Sequence, residues 1–206
     1  MSITLTELIA EARVHLADSQ CSESEFFSDT GLTQYINNAL LTLWGLLPDD
    51  ILRNYEDLGE QNLVSGTANY DLPATFYIEL AIIYNDIACR KIKYSEHKII
   101  ENNTYLQPLA SQPGYYLNDD DIYLLPTPTA NATNGLQLFF LTKPPVLSDA
   151  ITSVNIDIAF KPIVAKLAAG RALNLKASVA EGKILIQSAL EDMKIITTKD
   201  MKEEVE

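Results

Sequence analysis

Histidine and cysteine are nearly missing from this chain of 206 residues, at two each, and with them goes most of the material for acid–base, nucleophilic or metal chemistry. His15 and His97 stand in separate contexts with no serine or cysteine arrangement around them, so a histidine-centred catalytic site is not expected. Cys21 and Cys89 are far apart and have no histidine or third cysteine at metal-ligand spacing, which reads as two reduced thiols. No glycine-rich turn follows a strand to cradle a phosphate. Long apolar runs are also missing. The richest, around residues 163–175, carries Lys166 and Arg171, whereas a bilayer span needs roughly 20 apolar residues. The opening Met1-Ser2-Ile3-Thr4-Leu5-Thr6-Glu7 has neither the basic start nor the apolar block of a signal peptide, so neither export nor a membrane partner is expected.

Cations are scarce too: 15 against 28 carboxylates, a formal charge of −13. A protein that wraps nucleic acid must neutralise phosphates with lysine and arginine, so a nucleic-acid clamp is not expected. A surface that DNA slides past without adhering is compatible with the same charge. Asp119, Asp120 and Asp121 are contiguous and lack the spaced ligands and closing glutamate of a calcium loop. They read as a solvated turn, with no metal and no cofactor. Nothing singles out a carboxylate pair for glycoside hydrolysis.

What is present is patterned hydrophobicity, 47% of the chain, enough for a core. Thr4 with Glu7 forms a capping box ahead of Leu5, Leu8, Ile9, Ala12 and Leu16, predicting a helix over 4–18. Residues 19–28 are a polar linker with Phe26 and Phe27 available to pin it to the body. Leu32, Tyr35, Ile36, Ala39, Leu40, Leu43, Trp44 and Leu47 keep a three-then-four spacing until Pro48, a second helix over 29–47. A strand-rich stretch over 51–145 follows. Within it, residues 62–73 read as a hairpin, Phe76, Ile78, Leu80 and Ile82 alternate along one strand, and Tyr115 and Leu117 pair across an acidic turn with Ile122 and Leu124. Helices are expected again over 158–176, apolar on most sides, and 179–196, with 197–206 as a charged tail that keeps Met201 and Val205 as apolar positions four apart.

Read in order, the chain resembles the head-to-tail adaptor proteins of tailed bacteriophages. Leu5-Thr6-Glu7-Leu8-Ile9-Ala10-Glu11-Ala12-Arg13 is similar to that family's first helix, and the run from Phe27-Ser28-Asp29 to Asn37-Asn38-Ala39 to the start of its second. Tyr70-Asp71-Leu72-Pro73, Gly114-Tyr115-Tyr116, Ile122-Tyr123-Leu124-Leu125-Pro126-Thr127-Pro128 and Lys143-Pro144-Pro145 follow in the family's order. The resemblance implies an α+β, mainly helical fold: a helix bundle with an inserted antiparallel β region, a single adaptor domain over 1–196, and a C-terminal helix with extended tail. It also implies a non-enzymatic virion protein of the neck, assembled in the host cytoplasm, in which a ring of about a dozen copies sits under the portal protein and above a tail or nozzle protein. DNA would pass through its channel without specific binding. Carried over as portal-binding residues are Met193, Lys194, Ile195, Ile196, Lys199, Met201, Lys202 and Val205, and Asp119, Asp120 and Asp121 stand as an acidic loop of the channel or rim. These readings share one expectation, that apolar surface near the C-terminus is left uncovered in the lone chain. A second reading is a carbohydrate-binding or glycan-processing module of a phage tail, which requires Tyr115, Tyr116 and Tyr123 to form an exposed stacking face.

Overall fold

A computed structural model describes residues 2–16, 27–101, 103, 105–175 and 178–203, with backbone alone at 101 and 199–203. It is 44% helical and 29% strand, which corrects the expectation of a mainly helical chain: the fold is α+β, with several multi-stranded sheets. The chain divides into two compact units, Met1–Asp49 with Pro144–Glu206, and Asp50–Lys143.

The first unit contains β1 (Ser2–Thr4), α1 (Leu5–His15) and α2 (Asp29–Trp44), and a short α3 (Asp49–Leu52) starts at its boundary. The second holds β2 (Glu56–Leu63), β3 (Asn69–Asp71), β4 (Phe76–Tyr84), β5 (Ile87–Ala88), β6 (Arg90–Lys91), α4 (Tyr94–Glu101), β7 (Gly114–Asn118), β8 (Asp121–Leu125) and β9 (Ala132–Thr142). Back in the first unit come β10 (Ser153–Asn155), α5 (Lys161–Leu175) and α6 (Val179–Glu203).

In the helical unit α1 starts on the capping box, with Glu7 N–H donating to the Thr4 hydroxyl (3.2 Å) and Thr4 N–H donating to the Glu7 carboxylate (2.8 Å). Those bonds from Thr4 hold the Glu7 carboxyl below its usual range. β1 pairs antiparallel with β10, Ile3 opposite Val154, a three-residue ribbon whose halves are too short and too distant in sequence to be read from pattern. Ahead of α5, Asp157 accepts from Ala159 N–H at 2.8 Å and caps the turn Ile158–Phe160. Pro162 lies in the first turn of α5, where its missing N–H costs nothing. Eight residues of α5 are buried, spread around its circumference, because it packs against α1, α2 and α6. Phe27 is buried with Leu32 against Ala169 and Ala172 of α5, so it pins the linker's end. Phe26 lies outside the described residues.

The strand unit has two four-stranded sheets, ordered β2-β9-β4-β5 and β3-β8-β7-β6. Its core joins residues of both, including Leu63, Tyr70, Ile82, Tyr115, Ile122, Leu124, Leu138 and Phe140. The acidic hairpin forms as read: Tyr115 faces Leu124 and Asn118 faces Asp121, with Asp119 at φ 53° to close the turn. β4 and β5 are joined through Asn85 (φ 47°) and Asp86 (φ 63°), two left-handed residues that suit a two-residue hairpin without glycine. Two other expectations fail. Residues 62–73 are not a hairpin, because β2 pairs with β9 and β3 with β8. The alternation along β4 does not set one buried face, because register shifts at Phe76/Ile78 and Glu79/Ala81 leave Ile78 and Leu80 exposed while Ile82 is buried.

Candidate functional site

α6 is the longest element. At about 1.5 Å per residue its 25 residues span about 37 Å, against about 22 Å for the 15 of α5. The two cross on glycines: a Cβ placed on Gly182 would stand 2.5 Å from the Gly170 carbonyl oxygen and 2.4 Å from Asn174 Oδ1. Further along, Lys166 Nζ donates to Ser188 Oγ (3.2 Å) and to the Asp192 carboxylate (2.5 Å). Since 170 meets 182 and 166 meets 188 and 192, the helices are antiparallel, and α6 continues past the start of α5.

The expected portal-binding residues divide along this helix. Met193 is turned inward and buried, Ile196 is half-buried, and Lys194 and Ile195 are exposed, Ile195 at 60%. Ile184, eleven positions before Ile195 and so about three turns away, shares its outward face at 67% exposure. The C-terminal apolar surface is therefore partly covered by the chain itself, through Ala189 and Met193, and partly open through Ile184 and Ile195. Helix, rather than extended tail, runs through Lys199, Met201 and Lys202 to Glu203, and these four residue positions carry good helix formers. Val205 and Cys21 lie outside the described residues.

Asp119 and Asp120 are exposed and Asp121 is half-buried at the tip of the β7–β8 hairpin. Asn118 Nδ2 donates to the Asp119 carboxylate (3.3 Å) and the Asp120 carbonyl accepts from Leu72 N–H (2.7 Å), so the turn is held by one bond of its own and one from the residue that follows β3. Among the described residues, no group of three or more histidine, cysteine, aspartate or glutamate side chains is placed to hold a metal.

The tyrosines expected to form an open stacking face do not. Tyr115 and Tyr116 are 5% and 6% exposed, and Tyr123 lies flat on Tyr116 with centroids 4.8 Å apart and planes 2° apart. His97 completes the stack, 4.8 Å from Tyr116 and 4.6 Å from Tyr94, with Nδ1–H donating to the Tyr94 carbonyl (2.5 Å). These rings dock α4 on the sheet, which leaves them no face for a sugar. Burial pushes the Cys89 thiol up to about 11, which keeps it protonated and unreactive at neutral pH.

His15, at the end of α1, has its Nε2 buried without a partner. Burial holds its pKa below the ordinary 6.5, the Lys166 charge lowers it further, and Glu11 opposes both. A folded value below the unfolded one means the unfolded chain takes up the proton first, so the stabilisation is complete above pH 6.5 and is lost as pH falls through the folded value. Denaturant melts of wild type and His15→Gln between pH 7.5 and 5 (on the order of one proton's slope) will show the wild-type decline and its flattening in the variant.

An overrunning helix with an open apolar face and strand edges available on a second unit are the equipment of a protein that joins others, a structural assembly component. The family model for the SU10 adaptor protein matches residues 3–201, and the chain belongs to that family. It is thus a bacteriophage adaptor, a structural protein of the virion. No curated protein matches the chain. Among the described residues no helix is long and apolar enough to cross a membrane. The sequence reading missed the Gly170–Gly182 crossing, although two glycines inside otherwise helical patterns were a signal that backbones approach closely.

Proposed function

We propose that the chain is a head-to-tail adaptor that assembles as a ring under the portal protein, meets a tail or nozzle protein below, and leaves a channel for DNA at the neck. The observation that supports this reading best is the continuation of α6 past the start of α5, with Ile195 exposed and the helix running on through Lys199 and Lys202. A helix with an apolar stripe and charged flanks suits a groove on a partner. In this reading Lys194, Ile195, Ile196, Lys199, Met201, Lys202 and Val205 contact the portal, and Met193 anchors the helix to its own body so that the end is aimed. A charge of −13 per copy gives the ring a wall that does not hold DNA, and the turn Asp119, Asp120 and Asp121 faces the lumen or the tail-side rim. The adaptor acts by position and contact, with no chemical step.

Deleting residues 197–206 tests the docking segment. The expected result is an unchanged thermal melt with portal affinity reduced at least about a hundredfold, on the order of 3 kcal/mol. Full portal binding by the truncated chain would overturn it.

A further inference from the structure

We infer that neighbouring copies in the ring meet through their strand units, the acidic β2 side of one against the cationic, apolar-tipped β5–β6 side of the next. The inference rests on the ring reading above and names the surface that closes it.

β2 and β5 are the two edges of one sheet, so they lie on its opposite sides. The second sheet follows the same division. Its edge β3 is tied to β2 by Gln61 Nε2 donating to the Asp71 carbonyl (2.6 Å), and its other edge β6 continues directly from β5. One side therefore carries Glu56, Asp57, Glu60 and Asp71, all exposed, around a Leu58 that is 44% exposed. The other side carries Arg90, Lys91 and Lys93, exposed and with no carboxylate between them in sequence, flanked by Asp86 and Glu96. Lys91 is paired with Glu79 of β4, which leaves Arg90 and Lys93 as the exposed cations of this side. Next to them the segment after α4 projects Tyr105 at 96%, Leu106 at 50% and Leu109 at 67% exposure, around a hollow of about 660 Å³ that Ile87 and Arg90 also line.

A closed ring uses head-to-tail contacts, so each copy must offer two different surfaces that fit one another from opposite sides. In a chain with nearly twice as many carboxylates as cations, two copies placed at random would repel. Sorting the charge by side removes that repulsion in one orientation only. Charge on β2 alone would be explained as protection of an open edge against aggregation. That explanation requires neither the opposite sign across the sheet nor an apolar cluster beside it, and a second copy accounts for all three. In the contact, Glu56 and Asp57 face Arg90 and Lys93 of the next copy, and Tyr105 and Leu109 cover Leu58.

The test is charge reversal with compensation, read as complex mass by sedimentation and native mass spectrometry of the full chain, alone and with portal rings from the same virion. Glu56→Lys with Asp57→Lys, and separately Arg90→Glu with Lys93→Glu, each weaken copy-to-copy association by about tenfold or more. All four residues are exposed, so the variants keep the wild-type melt. Mixing the two variants, or combining all four changes in one chain, restores association, and added salt weakens the wild-type contact. Single-edge variants that assemble as well as wild type, or a combined variant that does not recover, would overturn the interface while leaving the ring reading standing. A wild-type chain that stays monomeric even with portal rings would overturn the ring reading, and the interface with it.

Discussion

Gly182→Val lowers the stability of the helical unit by about 3 kcal/mol and releases α6 from α5. The reason is contact with backbone: the new Cβ would meet the Gly170 carbonyl oxygen at 2.5 Å, and that atom cannot move without moving α5. Asn174 Oδ1 occupies the remaining space at 2.4 Å, buried and without a hydrogen-bond partner. Gly170 is under the same restriction from the opposite helix, at 2.7 Å from Ile186 Cγ1 and 2.8 Å from the Gly182 carbonyl oxygen. The measurement is a denaturant melt together with amide hydrogen exchange on α6. Loss of protection along α6 is expected first, and a melt equal to wild type would show that the helices do not cross there. Gly66→Ala is the comparison: nothing lies within 4 Å of its Cβ, and the cost is confined to a φ of +83°, about 1 kcal/mol.

Phe140→Ala costs the strand unit about 3–5 kcal/mol. Phe140 is 1% exposed on β9, the strand that pairs with both β2 and β4, and its ring lies 5.8 Å from that of Phe76. Gly59 on the neighbouring strand has no side chain to swing into the space, and its Cβ position is already 3.2 Å from the Pro73 ring. Urea melts followed by exchange at β9 amides will show the loss. A change under about 1 kcal/mol would mean that the sheets collapse onto the void, contrary to a core shared by both.

The elements that were legible in the sequence are those whose signal is local. Thr4 and Glu7 sit three apart and cap α1 as their spacing says, the stripe from Leu32 to Trp44 is buried along α2, and Asn118 to Asp121 close the hairpin. The elements that were not legible depend on partners far away. β2 is written in Glu56, Asp57, Gly59, Glu60, Gln61 and Asn62, poor strand formers that pair because β9 lies alongside, so the strand carries no signal of its own within a stretch that otherwise reads as strand-rich. β4 hides its period behind two register shifts. For the docking site, the pattern located α6 and its apolar positions but not their direction. Met193 and Ile195 are two positions apart and so point about 160° apart, and only the position of α5 decides that Met193 goes inward. The sugar-face reading rests on the tyrosine-rich strands alone; Tyr115 is taken up by the core of the strand unit, and His97 from α4, on which Tyr116 packs, is remote from the hairpin's own pattern.

On the proposed reading this chain joins a portal, through the C-terminal end of α6, as one member of a ring. The most direct measurement is the mass of the full-length chain mixed with portal rings of the same virion, followed by a density map of the complex. The expected result is a discrete complex carrying many copies of the chain in one ring, with the end of α6 seated in the portal. A chain that stays monomeric in the mixture, or a ring in which α6 points away from the portal, would contradict it.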